Sequence, residues 1–189
     1  MNVKKFLNDY VNIVDRLRPK YYSPDCCIAI ARINQIILEA YHFKVIPLTV
    51  QIEIFNEAFV EKGRPPKDEH EAKAWAEEGV WKIVLGYRKQ PLKPGMWPGH
   101  LVSIVNNQYM LDISITQANR PHKNINLQPL AITTVSYDKP LCIRDQNTYL
   151  FYDFFPDDKS FYQKPDWQSP HQNIVREIEF YLRKGKYND

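Results

Sequence analysis

His100-Leu101-Val102-Ser103-Ile104-Val105, then Asn106-Asn107-Gln108, then Tyr109-Met110-Leu111-Asp112-Ile113 is the stretch on which the fold turns. Two apolar, β-branched runs flank a short polar turn, and that pattern predicts a β-hairpin. The hairpin also carries chemistry, because His100 opens its first strand behind Gly99 and Asp112 closes the second. On an antiparallel pair these side chains meet only if they share a face, so strand register decides whether they act as a unit.

Outward from the hairpin, residues 44–55, with Val45, Ile46, Val50, Ile52 and Ile54, read as a further strand. Ahead of it, Ser23 as N-cap, Pro24 at the first helical position and Asp25 in the first turn predict a helix. That helix runs through Cys26-Cys27-Ile28-Ala29-Ile30-Ala31 to about Tyr41. An earlier helix is capped by Asn2, sets Phe6, Tyr10, Val14 and Leu17 at helical spacing, and is expected to stop at Pro19. Downstream, residues 68–78 predict an acidic peripheral helix carrying Ala72, Ala74, Trp75 and Ala76, and residues 90–99 a Pro-rich loop. Strands are expected over 131–136 and 149–155, and Cys142 reads as a strand residue facing a core. A last helix is capped by Ser169-Pro170, aligns Ile174, Val175, Ile178 and Leu182, and ends at Gly185. No repeat and no long linker divide the chain. The expectation is an α+β single domain over residues 1–189, with N-terminal helices packed on a mostly antiparallel sheet.

Composition narrows the function classes. An apolar fraction of 44% and an aromatic fraction of 13% over 189 residues supply a sizeable core and exclude wholesale disorder. A net charge of +3 is too mild for a nucleic-acid footprint; Arg183-Lys184-Gly185-Lys186 hints at one, but a binder needs a clustered basic face. No apolar run approaches the roughly 18–20 residues of a membrane span, so no membrane partner is expected. Residues 1–9 lack an apolar core and a small-residue cleavage site, and so do not read as a signal peptide. Of the three cysteines two are adjacent, a poor disulfide framework, so free thiols and a cytoplasmic location are expected. With six glycines there is neither a Walker loop nor GxGxxG, so no nucleotide cofactor is indicated. His42, His70, His122 and His171 form no HxxxH or HExxH pair and CxxC is absent, so neither a cofactor nor a metal is expected.

The adjacent cysteines are the remaining candidates for chemistry. In a helical first turn, unpaired backbone N–H groups and the positive dipole end favour a thiolate. The helical wheel separates the pair. Cys26 lines up with Ile30, Ile33 and Ile37, an aliphatic stripe on which it reads as a buried small hydrophobe. Cys27 lines up with Ala31, Asn34 and Leu38, a mixed face, and is the better nucleophile. A nearby His100–Asp112 pair could serve it: the carboxylate fixes the imidazole tautomer, and the imidazole takes the thiol proton and later delivers it to a leaving group.

Cys27 at a helix start, Ala31 four residues on, then a strand, then His100 and Asp112 on successive strands resembles the transglutaminase-like branch of the papain-like cysteine superfamily. Arylamine N-acetyltransferases share that core arrangement. The distance from Cys27 to Phe43-Lys44-Val45 is similar to the family interval from nucleophile to the strand after the helix; counted from Cys26 the match slips by one. The resemblance covers residues 22–117, and 99–102 with 111–117 and Arg120-Pro121 is similar to an uncharacterised bacterial branch. It implies a papain-like fold with Cys27 as nucleophile, His100 as general base and acid, and Asp112 as orienting carboxylate. Where the family often carries Gly before the nucleophile region and at the helix end, this chain has Asp25-Cys26 and His42. Transglutaminases place an aromatic near the oxyanion hole, which Trp97 resembles.

Gln117 and Arg120 either line the cleft or make a hydrogen-bonding turn, and Gln117 and Trp97 are the candidate substrate-binding residues. The expected function is acyl transfer through a cysteine thioester: peptidase, amidase, deamidase or amine acyltransferase. Its substrate would be a peptide, a protein side chain, or a small amide or thioester. The rival expectation is a non-catalytic protein-binding module that retains the fold.

Overall fold

The computed structural model describes residues 2–23, 26–86, 97–133, 136–137 and 139–185. Helix α1 (Val3–Tyr21) is capped by Asn2, whose side chain accepts from the Lys5 N–H at 3.0 Å. It buries Phe6, Tyr10, Val14 and Leu17 as the spacing predicts. Pro19 does not stop it. The proline removes one helical N–H, but buried Leu17 and Arg18 hold the last turn, and the Tyr22 N–H closes the helix on Arg18 O at 3.0 Å.

Helix α2 (Cys27–Ala40) starts later than expected: Cys26, not Ser23, is its N-cap, and no side chain caps it. The Ile30 N–H makes its bond to Cys26 O at 3.0 Å, while the Cys26 side chain is buried among Ile30, Ile33 and Ile37, so packing substitutes for the cap. The roles read for Pro24 and Asp25 lie outside the described residues. At the other end the Phe43 N–H reaches Leu38 O at 3.0 Å and the His42 N–H reaches Glu39 O at 3.0 Å, a Schellman closure. That closure puts His42 at φ 65°, the left-handed position where glycine is usual.

The sheet has seven antiparallel strands among the described residues. Its centre is β1 (Val45–Asn56), one edge of which pairs β7 (Thr148–Phe155). The opposite edge is shared end to end: β3 (His100–Val105) takes Val45–Val50, and β2 (Lys82–Leu85) takes Ile52–Phe55. Strand β4 (Tyr109–Asp112) follows β3 through a turn with Asn106 at φ 52° and Asn107 at φ 54°, the two positive values a primed hairpin turn requires. Beyond β4 lies β5 (Leu130–Thr133), and beyond β7 lies β6 (Leu141–Asp145). The strand expected over 131–136 is met by β5 at 131–133; residues 134–135 lie outside the described residues. Cys142 does not face a core: β6 pairs only with β7, its alternate residues Leu141 and Ile143 turn inward, and Cys142 is exposed.

Two cores occupy the two faces of the sheet. On one, α1, α2 and α6 (Gln172–Lys184) pack Phe6, Tyr10, Ile33 and Ile178 against Val45, Val105 and Leu111. On the other, Leu48, Val50, Ile52, Val102, Met110 and Tyr152 enclose a second core, closed by Ile115, Ala118, Ile125 and Leu127 from the segment after β4. His171 rather than Ser169 precedes α6, since Ser169 ends a separate short helix, α5 (Pro165–Gln168). The acidic segment forms α4 (Glu69–Glu77) with Asp68 as N-cap; only Trp75 of it is buried, as expected of a peripheral helix. A short α3 (Glu57–Glu61) precedes it.

Candidate active site

A buried polar bridge sets α2 on the sheet. Tyr10 donates to Asn34 Oδ1 at 2.8 Å, and Asn34 Nδ2 donates to Ser103 Oγ at 3.0 Å. Asn34 shares the Cys27 face of α2, so this bridge accounts for the polar residue on that face and fixes the helix start relative to β3. Cys27 is the first helical residue, with 9% of its surface accessible. It packs among Ile28, Ala31, Leu101, Phe161 and Trp167, with Trp97 against the same cluster. Cys26 points the other way, into the helical core. Burial pushes the Cys26 thiol up to about 11, against the opposing influence of the Arg18 guanidinium beside it.

The hairpin register places the other two residues. Pairing of Ser103 with Leu111 and of Ile104 with Met110 puts His100, Val102 and Ile104 on the same face as Met110 and Asp112. His100 Nε2 is 2.9 Å from Asp112 Oδ1, with the two residues 1% and 0% exposed. Tyr152 from β7 donates to Asp112 Oδ2 at 3.1 Å, so each oxygen of this buried carboxylate has a partner. Burial alone would keep His100 neutral. The charge and hydrogen bond of Asp112 outweigh it, helped by a hydrogen bond with Cys27 and its charge, and raise the imidazole to about 10. Cys27, His100 and Asp112 therefore converge from a helix start and two strands.

Two glycines allow close approach beside His100. Gly86, at φ +71°, sits where β2 ends and β3 begins, and a Cβ there would lie 2.6 Å from Val50 O and 2.8 Å from His100 N. A Cβ on Gly99 would collide with the Trp97 indole, which lies over it and donates to Ser160 Oγ at 2.9 Å.

In front of the thiol lies a cleft of about 620 Å³, lined by Cys27, Ile28, Trp97, Gln117 and Lys164, among others. Both candidate substrate-binding residues thus line it. Gln117 also does what the sequence did not suggest: its amide Nε2 lies 2.7 Å from His100 Nδ1. Arg120 turns away from the ring to hold Gln117 O at 2.9 Å, the turn role rather than the lining role. Nothing in the sequence singles out Tyr152, because its partner Asp112 lies 40 residues away on another strand; it reads only as one aromatic among five in residues 149–155. Pro165 and Asp166 of α5 on the cleft wall were missed likewise. Among the described residues no group of three His, Cys, Asp or Glu side chains could hold a metal ion, and no helix is long and apolar enough to cross a membrane.

An imidazole between a thiol and a buried carboxylate can accept the thiol proton, hold it as an imidazolium, and return it to a group in the cleft. The chain matches no protein-family model, no curated protein and no solved structure, so its chemistry rests on this geometry alone.

Proposed function

We propose that the protein is a cysteine-dependent acyl-transfer enzyme of the transglutaminase-like, papain-like kind, acting on an amide or thioester carbonyl through a covalent thioester. The observation that carries this reading is the convergence of Cys27, His100 and Asp112 behind one cleft. His100 holds the proton that leaves Cys27, and the sulfur attacks the carbonyl carbon. The first-turn N–H groups of α2 have no intrahelical acceptors, and Cys27 and Ile28 line the cleft, so these donors suit the developing oxyanion. As the intermediate collapses, the carbon–nitrogen bond of an amide donor breaks and the imidazolium gives its proton to the departing amine. Water or an amine then attacks the thioester, His100 takes the attacker's proton, the carbon–sulfur bond breaks, and that proton returns to Cys27. Asp112 holds Nε2–H throughout, and Tyr152 holds Asp112.

The cleft is apolar around the sulfur, with Lys164 and Asp166 as its charged lining residues. That lining suits a peptide, a protein side chain or a small amide. Free thiols at Cys26, Cys27 and Cys142 fit a reducing, cytoplasmic setting. The test uses p-nitrophenyl acetate as a generic activated acyl donor, read by mass spectrometry of the intact and digested protein. An acetyl adduct on Cys27 that disappears in His100→Ala is expected. An unmodified Cys27, or equal adduct in His100→Ala, would make the fold a non-catalytic one.

A further inference from the structure

A second cleft lies where β1 gives way to α3 and the β6–β7 hairpin turns. Its volume is about 590 Å³, within the roughly 300–1,000 Å³ of small-molecule sites. Among the described residues it shares no lining side chain with the Cys27 cleft. The segment after β4 forms one wall. Ile125 and Leu127 are buried in the sheet core, so the alternate residues Asn124, Asn126 and Gln128 are exposed. Asn119 pins this wall: its Nδ2 donates to Leu127 O at 3.1 Å, and its Oδ1 accepts from the Leu127 N–H at 2.6 Å. Asp145 pairs with Thr148, so Gln146 and Asn147 form the two-residue tip of the hairpin and add two more amides to the lining. Gln146 keeps a side chain at φ 51°, where glycine is usual. Trp81 joins them: Asn56 Oδ1 accepts from its backbone N–H at 3.2 Å, and the half-buried residue packs against the sheet core. Among the described residues, neither these five amide side chains nor the Trp81 indole N–H has a hydrogen-bond partner.

We propose that this cleft binds a neutral saccharide, with a sugar ring on the Trp81 indole and its hydroxyls on the surrounding amides. The charged lining residues, Lys123 and Asp145, have opposite sign, so the cleft has no net charge to draw an anion or a cation. A side-chain amide carries donors and an acceptor without charge, which matches a hydroxyl that both donates and accepts. A pyranose ring presents C–H groups on its face, and these pack on a flat aromatic surface while the indole N–H serves a hydroxyl at the ring edge. A wholly apolar ligand would bury the amides without partners. The walls are held by Ile125, Leu127 and the hairpin pairing, so little ordering is left for the ligand to impose. This site is independent of the acyl-transfer reading.

The experiment titrates the full, nitrogen-labelled chain with maltotriose, cellotriose, lactose and N,N′-diacetylchitobiose at millimolar concentration. Heteronuclear NMR follows the Trp81 indole N–H, assigned by its loss in Trp81→Phe, together with the Asn and Gln side-chain NH2 signals. At least one sugar should shift the Trp81 signal and several amide signals saturably. Gln146→Gly suits the φ of 51°, and Asn126→Ala trims an exposed side chain, so both variants keep the fold. Each should weaken binding by roughly three- to tenfold, the loss of one hydrogen bond. No saturable shift with any of the four sugars would overturn the proposal, as would shifts that both variants leave undiminished. Saturable shifts with N-acetyl-triglycine amide and none with the sugars would make the cleft a peptide site and overturn it equally.

Discussion

Asp112→Asn tests the buried half of the site. The carboxylate is 0% exposed and accepts from His100 Nε2 at 2.9 Å and Tyr152 Oη at 3.1 Å. Asparagine fills the same space. Its oxygen can still accept from Nε2–H, and its NH2 can donate to the Tyr152 oxygen, so both contacts survive as neutral hydrogen bonds. What is lost is the charge that overcomes burial at His100. A hydrogen bond to a charged group contributes about 1.5–3 kcal/mol and a neutral one about 0.5–1.5, so the variant should be roughly 1–2 kcal/mol less stable at pH 7. For a chain of this size that lowers Tm by about 2–8 °C. The pH dependence is the sharper readout. His100 is raised from 6.5 to about 10 in the folded protein, so its contribution to stability is present in full below pH 6.5 and is lost as pH rises toward 10.

Urea denaturation at stepped pH should therefore show wild-type stability draining between pH 6.5 and 10, and Asp112→Asn should be much flatter over that window. Labelling of Cys27 by iodoacetamide should slow by roughly 10–1000-fold, because the imidazolium beside the sulfur is no longer sustained and the other ring tautomer becomes accessible. Parallel stability curves together with an unchanged labelling rate would refute the coupling of Asp112 to His100 and Cys27, and leave a two-residue site.

Other consequences are quicker to check. Cys27→Ala should abolish the acetyl adduct yet keep stability within about 1–2 kcal/mol, as judged by urea melts and mass spectrometry; unfolding would return Cys27 to the core. Cys26 should stay unlabelled by iodoacetamide at pH 8, since burial holds its thiol near 11, and labelling of Cys26 ahead of Cys27 would exchange their roles. His42→Gly should stabilise the fold by roughly 1 kcal/mol, because a side chain at φ 65° is strained; an unchanged or lower Tm would show that His42 makes compensating contacts. Asn34→Leu should cost about 1–3 kcal/mol by stranding Tyr10 and Ser103, and should also slow Cys27 labelling by shifting α2 on β3; loss of stability without that kinetic effect would make the bridge merely structural.

Local physics makes part of this site legible in the sequence. Two strands around an Asn-Asn turn fix a hairpin, and the stripe of Ile30, Ile33 and Ile37 assigns Cys26 to the core, both consequences of side-chain periodicity. Register was the open step for His100 and Asp112, since a slip of one residue would send Asp112 to the helical face; pairing of Ser103 with Leu111 settles it. Capping rules misplaced the start of α2 and of α6 because tertiary burial at Cys26 and a separate short helix before His171 override the local Ser-Pro signals. Pro19 likewise fails to end α1, whose last turn is held by buried Leu17 and Arg18.

The parts of the site that were not legible are those joined across the sheet. Tyr152 meets Asp112 only because β7 lies beside β1 and β1 beside β3, an order that sequence spacing does not encode. Gln117 meets His100 only because the chain folds back through a short 3-10 turn directly after β4. Tyr152, unmarked in the sequence, holds the carboxylate, and Gln117, expected only as a cleft residue, also meets the ring. That division has a physical basis. Cys27 lies at a helix start and His100 at a strand start, which local patterning marks to within a few residues; the groups that contact them need only reach them through space. Substituting Tyr152 or Gln117 should therefore alter the titration of His100 while leaving the helix and hairpin in place.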